Sequence, residues 1–202
     1  MHVYILFAHP SPRSFCREVL EYFTRGLEES GHTHEVFDLY ENGFRSEMEA
    51  SQYLREIGQD PEAPLPDDVK EEQGKIARSE ALAFIYPVWW SDCPAKLKGW
   101  FDRVWSYGYA YFYEADGERK SLIKPQKALV ICSAGHTEEH LEETGIAGAM
   151  RCIMLQDRLK NVGFTEVKME ILGGMMPNDM TFRDKNLERA YRLGRDFQSN
   201  GR

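Results

Sequence analysis

The sequence predicts an α/β protein: a doubly wound, five-stranded parallel sheet, order 2-1-3-4-5, with helices on both faces. Apolar runs of strand length occur at Val3 to Ala8, Ala81 to Tyr86 and Ala128 to Ala134, continuous rather than alternating, as strands buried on both faces read. Segments with helical spacing separate the strands, so strand and helix alternate along the chain. Among open sheets built from right-handed crossovers, 2-1-3-4-5 is the natural five-stranded order.

The elements follow in turn. Val3 to Ala8 is the first strand, closed by His9-Pro10. Phe15, Val19, Tyr22, Phe23 and Leu27 share one face of a helix from Ser14 to Ser30, and Gly31 ends it in the manner of a left-handed cap. His34 to Leu39 is the second strand. Tyr40 to Pro66 reads as an excursion, with weak helical periodicity at Met48 to Ile57 and a proline-rich exit. Asp67 and Asp68 suit the positive start of a helix to Ala77. Ala81 to Tyr86 is the third strand. Pro94 stands at a first helical position, and Leu97, Trp100, Phe101, Val104 and Trp105 stripe a helix ending near Ser106. Tyr107 to Leu122 is an aromatic, charged loop with a turn at Asp116-Gly117. Lys127 to Ala134 is the fourth strand, Gly145 to Lys160 a helix, Glu166 to Leu172 the fifth strand, and Asp184 to Gln198 a last helix.

Composition narrows the function. The 202 residues suit one domain, 1–202, and 42% hydrophobic with 29% charged residues is a globular balance. No apolar run approaches the ~18 residues that span a bilayer. The start M-H-V-Y-I-L-F-A-H-P lacks a basic region and cleavage site, so it reads as a strand and the expected location is cytoplasmic. Cys16, Cys93, Cys132 and Cys152 lack C-x-x-C spacing and read as reduced thiols. A net charge of -8 without a basic block disfavours nucleic acid.

In a sheet of this order, the ends of strands one, three and four meet at the ligand crevice. The first end, A-H-P-S-P-R-S-F-C, supplies Ser11, Arg13 and Ser14 beside a helix start, which favours an anion such as a phosphate. A cap role for Ser14 fits equally well. Neither a dinucleotide fingerprint nor a P-loop occurs. The second end, Y-P-V-W-W-S, offers flat apolar faces to a planar heteroaromatic ring. Trp89 and Trp90 lie past the strand, where burial is hard to complete, whereas Trp100 and Phe101 read as core. The third end, I-C-S-A-G-H-T, turns at Gly135 and brings Ser133 to the ring's polar edge. There His136 is a candidate proton donor, or a solvated loop histidine. His136 to His140 also spells H-x-x-E-H, a zinc-hydrolase signature, but that site needs both histidines on one helix face and a third ligand. No metal is expected.

These residues carry a resemblance. Y-P-V-W-W-S-D-C-P-A-K-L-K-G-W-F-D-R-V is similar to the F-P-x-x-W-x-x-x-P-A-x-L-K-G-W-x-(D/E)-R-V of the NAD(P)H:quinone oxidoreductase family of flavodoxin-like flavoproteins. A-H-P-S-P-R-S-F resembles its H-x-x-x-x-S-F, and S-A-G-H stands where it has T-T-G-G. The resemblance implies a flavin, with its phosphate near His9, Ser14 and Phe15. Its ring would lie along Pro87, Val88, Trp89 and Trp90, with Ser133, Ala134, Gly135 and His136 on the other side. A-Y-F-Y resembles the family's A-Y-x-Y, so Tyr111 and Tyr113, with Trp105, are expected to face substrate across a homodimer interface. Where vertebrate members carry a tyrosine and a histidine that assist hydride transfer, this chain has Leu141 and Ala147.

The resulting expectation is a two-step NAD(P)H:quinone oxidoreductase, with NAD(P)H as co-substrate and a quinone-like acceptor. FAD is the expected flavin and FMN the alternative. Three rivals are weighed: an ancillary subunit of a glutathione-gated potassium-efflux system, partnered with a membrane transporter; a flavodoxin-like electron carrier; and a zinc hydrolase using His136 and His140.

Overall fold

The computed structural model describes residues 1–176 and 181–197. The chain runs β1 (His2–Phe7), α1 (Phe15–Glu29), β2 (Thr33–Asp38), α2 (Ala50–Gly58), α3 (Asp67–Ala77), β3 (Ala81–Pro87) and α4 (Ala95–Val104). It continues through β4 (Phe112–Tyr113), β5 (Arg119–Lys120), β6 (Lys127–Ser133), α5 (Glu138–Glu143) and α6 (Ile146–Arg151) to β7 (Glu166–Leu172) and α7 (Arg183–Arg195). Five strands form one parallel sheet, β2-β1-β3-β6-β7, which is the expected 2-1-3-4-5 order.

Strand residues alternate between two cores. Val3, Ile5, Phe7, Ala83 and Ile85 pack under α1 and α7, while Tyr4, Leu6, Phe84 and Tyr86 pack under α3, α4 and α6. Helices therefore cover both faces, which is why the strands read as continuous apolar runs. Trp100 is fully buried, as expected, and its indole N–H donates to Glu72, which also accepts from Tyr4 and Lys75.

Several expected boundaries shift. Pro94 is the cap residue, not the first helical one, and α4 stops at Val104 with Trp105 as its cap. The loop after it contains a hairpin, β4 with β5, turning at Gly117 in the left-handed region. A short helix, α5, precedes Gly145. The helix expected from Gly145 to Lys160 is α-helical only to Arg151, then π-helical over Cys152–Leu159 and 3-10 over Lys160–Val162. The spacing of Ile146, Met150, Ile153 and Met154 does not separate a 3.6-residue turn from a wider one, and Ile153 is exposed. Gln198, where the last helix was expected to end, lies outside the described residues.

Candidate active site

At the end of β1, Ala8 N–H donates to Ile85 O, which fixes the exit of the chain beside β3. Ser11 N–H then donates to His9 Nδ1 at 3.0 Å. A backbone amide can only donate, so the neutral ring carries its proton on Nε2. Burial pushes the His9 pKa down, so that tautomer is the form present at neutral pH. Ser11 Oγ accepts from Arg13 N–H, and Ser14 Oγ accepts from Arg17 N–H at 3.2 Å, the helix cap expected for Ser14. Phe15, partly exposed, opens α1 beneath the guanidinium of Arg183.

At the end of β3, Pro87 is buried and Val88 N–H donates to Ser133 O at 2.7 Å. Trp89 and Asp92 exchange backbone hydrogen bonds of 2.9 and 3.2 Å, closing a tight turn. Inside it Trp90 and Ser91 take φ of 49° and 66°, left-handed backbone without a glycine. Such a conformation costs on the order of 1–3 kcal/mol per residue and concentrates at functional sites. Trp90 is fully exposed and Trp89 is 42% exposed, so both indoles reach solvent at the sheet's carboxyl edge. The Trp89 ring meets His9 edge-on, centroids 6.1 Å apart.

At the end of β6, Ser133 Oγ lies 3.1 Å from Cys16 Sγ, tying this loop to α1. Burial raises the Cys16 thiol to about 11, so it stays protonated. Ala134 is buried; its N–H donates to Leu172 O and its carbonyl accepts from Met175 N–H. Exposed Gly135 leads to His136, whose carbonyl accepts from Gly174 N–H. The three expected strand ends are therefore brought together by direct contacts.

The His136 ring lies 4.6 Å from that of His140, tilted by 31°, but α5 begins only at Glu138, with Thr137 as its cap. The two histidines thus do not share a helix face, as the zinc signature requires. Among the described residues the acidic or ligating cluster of three is Glu114, Asp116 and Glu118, exposed on the hairpin and away from these histidines in sequence. Leu141 and Ala147 are buried in the core and offer no polar group.

The expected substrate wall forms a second cluster. Trp105 packs on Trp100 and Phe101, and its Nε1–H donates to Arg158 O at 2.8 Å. Tyr111 lies between Tyr107 and the half-exposed Tyr113, with Arg119 5.0 Å above its ring. Arg158 joins this wall to the strand ends, because its guanidinium takes both oxygens of Asp92 at 2.8 and 2.9 Å. Sequence reasoning missed Asp92, Arg158 and Cys16. The acidic residue inside W-S-D-C-P was a visible signal for Asp92; nothing local marks Arg158.

This architecture is matched over residues 1–193 by the family described as having the flavodoxin-like fold. The solved NAD(P)H:quinone oxidoreductase from Methanothermobacter marburgensis is 62% identical, with a TM-score of 0.95, covering 100% of this chain and 98% of that one. Ribosyldihydronicotinamide dehydrogenase [quinone] of Pongo abelii is 31% identical over 166 residues, 74% of this chain and 70% of that protein. A ribosyldihydronicotinamide dehydrogenase-like protein of Penicillium crustosum is 29% identical over 173 residues; the match takes in 76% of this chain and 65% of that longer protein. The chain belongs to the flavodoxin-like family and, within it, to the NAD(P)H:quinone oxidoreductases. Its enzyme class is NAD(P)H dehydrogenase (quinone). Among the described residues no helix is long and apolar enough to cross a membrane.

Proposed function

We propose that the chain binds a flavin across the ends of β1, β3 and β6 and reduces a quinone with NAD(P)H. The observation that carries the reading is the strained Trp89–Asp92 turn, which holds a fully exposed Trp90 and a partly exposed Trp89 beside the loop and helix cap that carry Ser11 and Ser14. That pairing of a flat apolar wall with an anion-binding end fits a planar ring joined to a phosphate. A flavin held by the β1, β3 and β6 ends would supply two-electron hydride chemistry between NAD(P)H and the acceptor, with Trp89 and Trp90 offering the stacking wall.

The chain's own residues bind, orient and donate. His9 Nε2–H, the Ser14 hydroxyl and the amides opening α1 would hold the phosphate, with Ser11 fixing the His9 ring and Phe15 packing beside it. Pro87, Val88, Trp89 and Trp90 would line one side of the ring; Ser133, Ala134, Gly135 and His136 would supply its polar edge, His136 being the candidate proton donor. With Leu141 and Ala147 in the core, chemistry would rest on stacking and distance. FAD is our reading for the flavin, following the resemblance, with FMN the alternative.

Tyr53, Leu54 and Ile57 leave an apolar stripe of α2 exposed, and Tyr113 is half exposed. This surface supports a homodimer in which Trp105, Tyr111 and Tyr113 complete the substrate pocket. Free cysteines support a cytoplasmic setting. The burial of Leu141 and Ala147 favours keeping one second reading, a regulatory subunit docked on a membrane transporter. Steady-state kinetics with NADPH and a soluble benzoquinone separate the two. Parallel double-reciprocal lines are expected; a purified flavoprotein without quinone turnover would favour the regulator.

A further inference from the structure

We infer that Arg158 is a positioning residue, latching the Trp89–Asp92 turn, and with it the proposed ring wall, to the wall that carries Trp105. The inference rests on the flavin reading for its purpose, though not for its geometry. Arg158 is buried, and a buried guanidinium is tolerated only when its donors are taken up. Here Nη1 and Nη2 grip Asp92 in a two-pronged pair, Nη1 also reaches Cys93 Sγ at 3.4 Å, and the group lies 5.4 Å over the Phe101 ring. Its carbonyl accepts from the Trp105 indole. One residue thus touches both aromatic walls.

The turn needs such a latch. Trp90 and Ser91 hold unfavourable left-handed backbone, and a strained segment persists only where its surroundings over-determine it. Trp89 and Asp92 close the turn through their backbones, while the Asp92 side chain fixes it to the body of the protein and accepts from Cys93 N–H. Arg158 comes from the π-helical stretch Cys152–Leu159, whose wider winding turns its side chains away from where a regular α-helix would direct them. π-helical turns are rare and recur at functional sites.

The test compares wild type with Asp92→Asn, Arg158→Lys and Arg158→Met in the full chain. It measures amide hydrogen exchange at Trp89 and Asp92 without ligand, and FAD affinity by fluorescence titration of the flavin-free protein. Asp92→Asn keeps the size of a partly exposed residue, so it reports even where Arg158→Met fails to fold. Exchange at both amides should rise about tenfold in Asp92→Asn, and FAD affinity should fall by a similar factor, the scale of one lost charge-assisted hydrogen bond. Arg158→Lys, which keeps charge without the fork, should lie between. Unchanged exchange would overturn the latch. Raised exchange with unaltered FAD affinity would overturn its role toward the ring. A wild type that binds neither FAD nor FMN would instead remove the flavin reading, while the exchange result would still decide the latch; where FMN alone binds, the affinity comparison is made with FMN.

Discussion

Among single residues, Asp92 holds the strained turn to the rest of the protein. Its carboxyl is pulled two ways: burial alone would raise its pKa, but the paired hydrogen bonds from Arg158, with the Cys93 amide, outweigh it and leave the group below the usual carboxylate range. A carboxylate whose folded pKa is depressed contributes stability that is present above its unfolded pKa, near 4, and is lost as pH falls through the folded value. Wild type should therefore exceed Asp92→Asn by about 1 kcal/mol at neutral pH, a figure discounted for the partial exposure of the carboxylate. In urea unfolding the gap should hold down to about pH 5 and narrow progressively as pH falls below about 4 and through the depressed folded value. A gap that did not narrow over that range would place the stabilising charge elsewhere. Of the candidate site, the indoles, serines and histidines stood out in the sequence, because each lies just past an apolar strand where a ligand edge is expected. Arg158 was not: it lies 66 positions from Asp92, and no local pattern records a partner that only the fold supplies.

At the scale of elements, α1 matters most, since it carries the first strand-end loop. It lies against α7 at two glycines: a Cβ on Gly194 would come 2.0 Å from Phe23 O, and one on Gly26 would come 2.2 Å from Tyr191 O. Both are backbone atoms and cannot swing aside. Gly194→Ala should therefore destabilise by about 1–3 kcal/mol, the range for overpacking. For a chain of this size that lowers Tm by roughly 2–4 °C per kcal/mol, read by thermal unfolding. Every long helix was signalled, the six-residue α5 was not, and helix faces were not always. In α2 the buried residues are Gln52 and Arg55, held by Arg103 and by backbone carbonyls, and Tyr53, Leu54 and Ile57 face outward. Its weak periodicity reflects this inversion: the polar side is the packed one. The π-helical stretch escaped notice for a related reason, since two turns of apolar residues fit either winding.

At the scale of the molecule, sheet order does most of the work. Placing β1, β3 and β6 side by side brings three loops distant in sequence into contact, through Val88 to Ser133, Cys16 to Ser133 and His9 to Trp89. That much followed from alternating strands and helices before any side chain was placed. A chain of net charge -8 has no long-range pull on a phosphate, so anion binding would depend on local donors at the start of α1. The most direct test of the central claim is to denature the purified protein and identify what it releases by absorbance and chromatography. The account predicts a yellow protein that releases stoichiometric FAD; a colourless protein that takes up neither FAD nor FMN on incubation would contradict it.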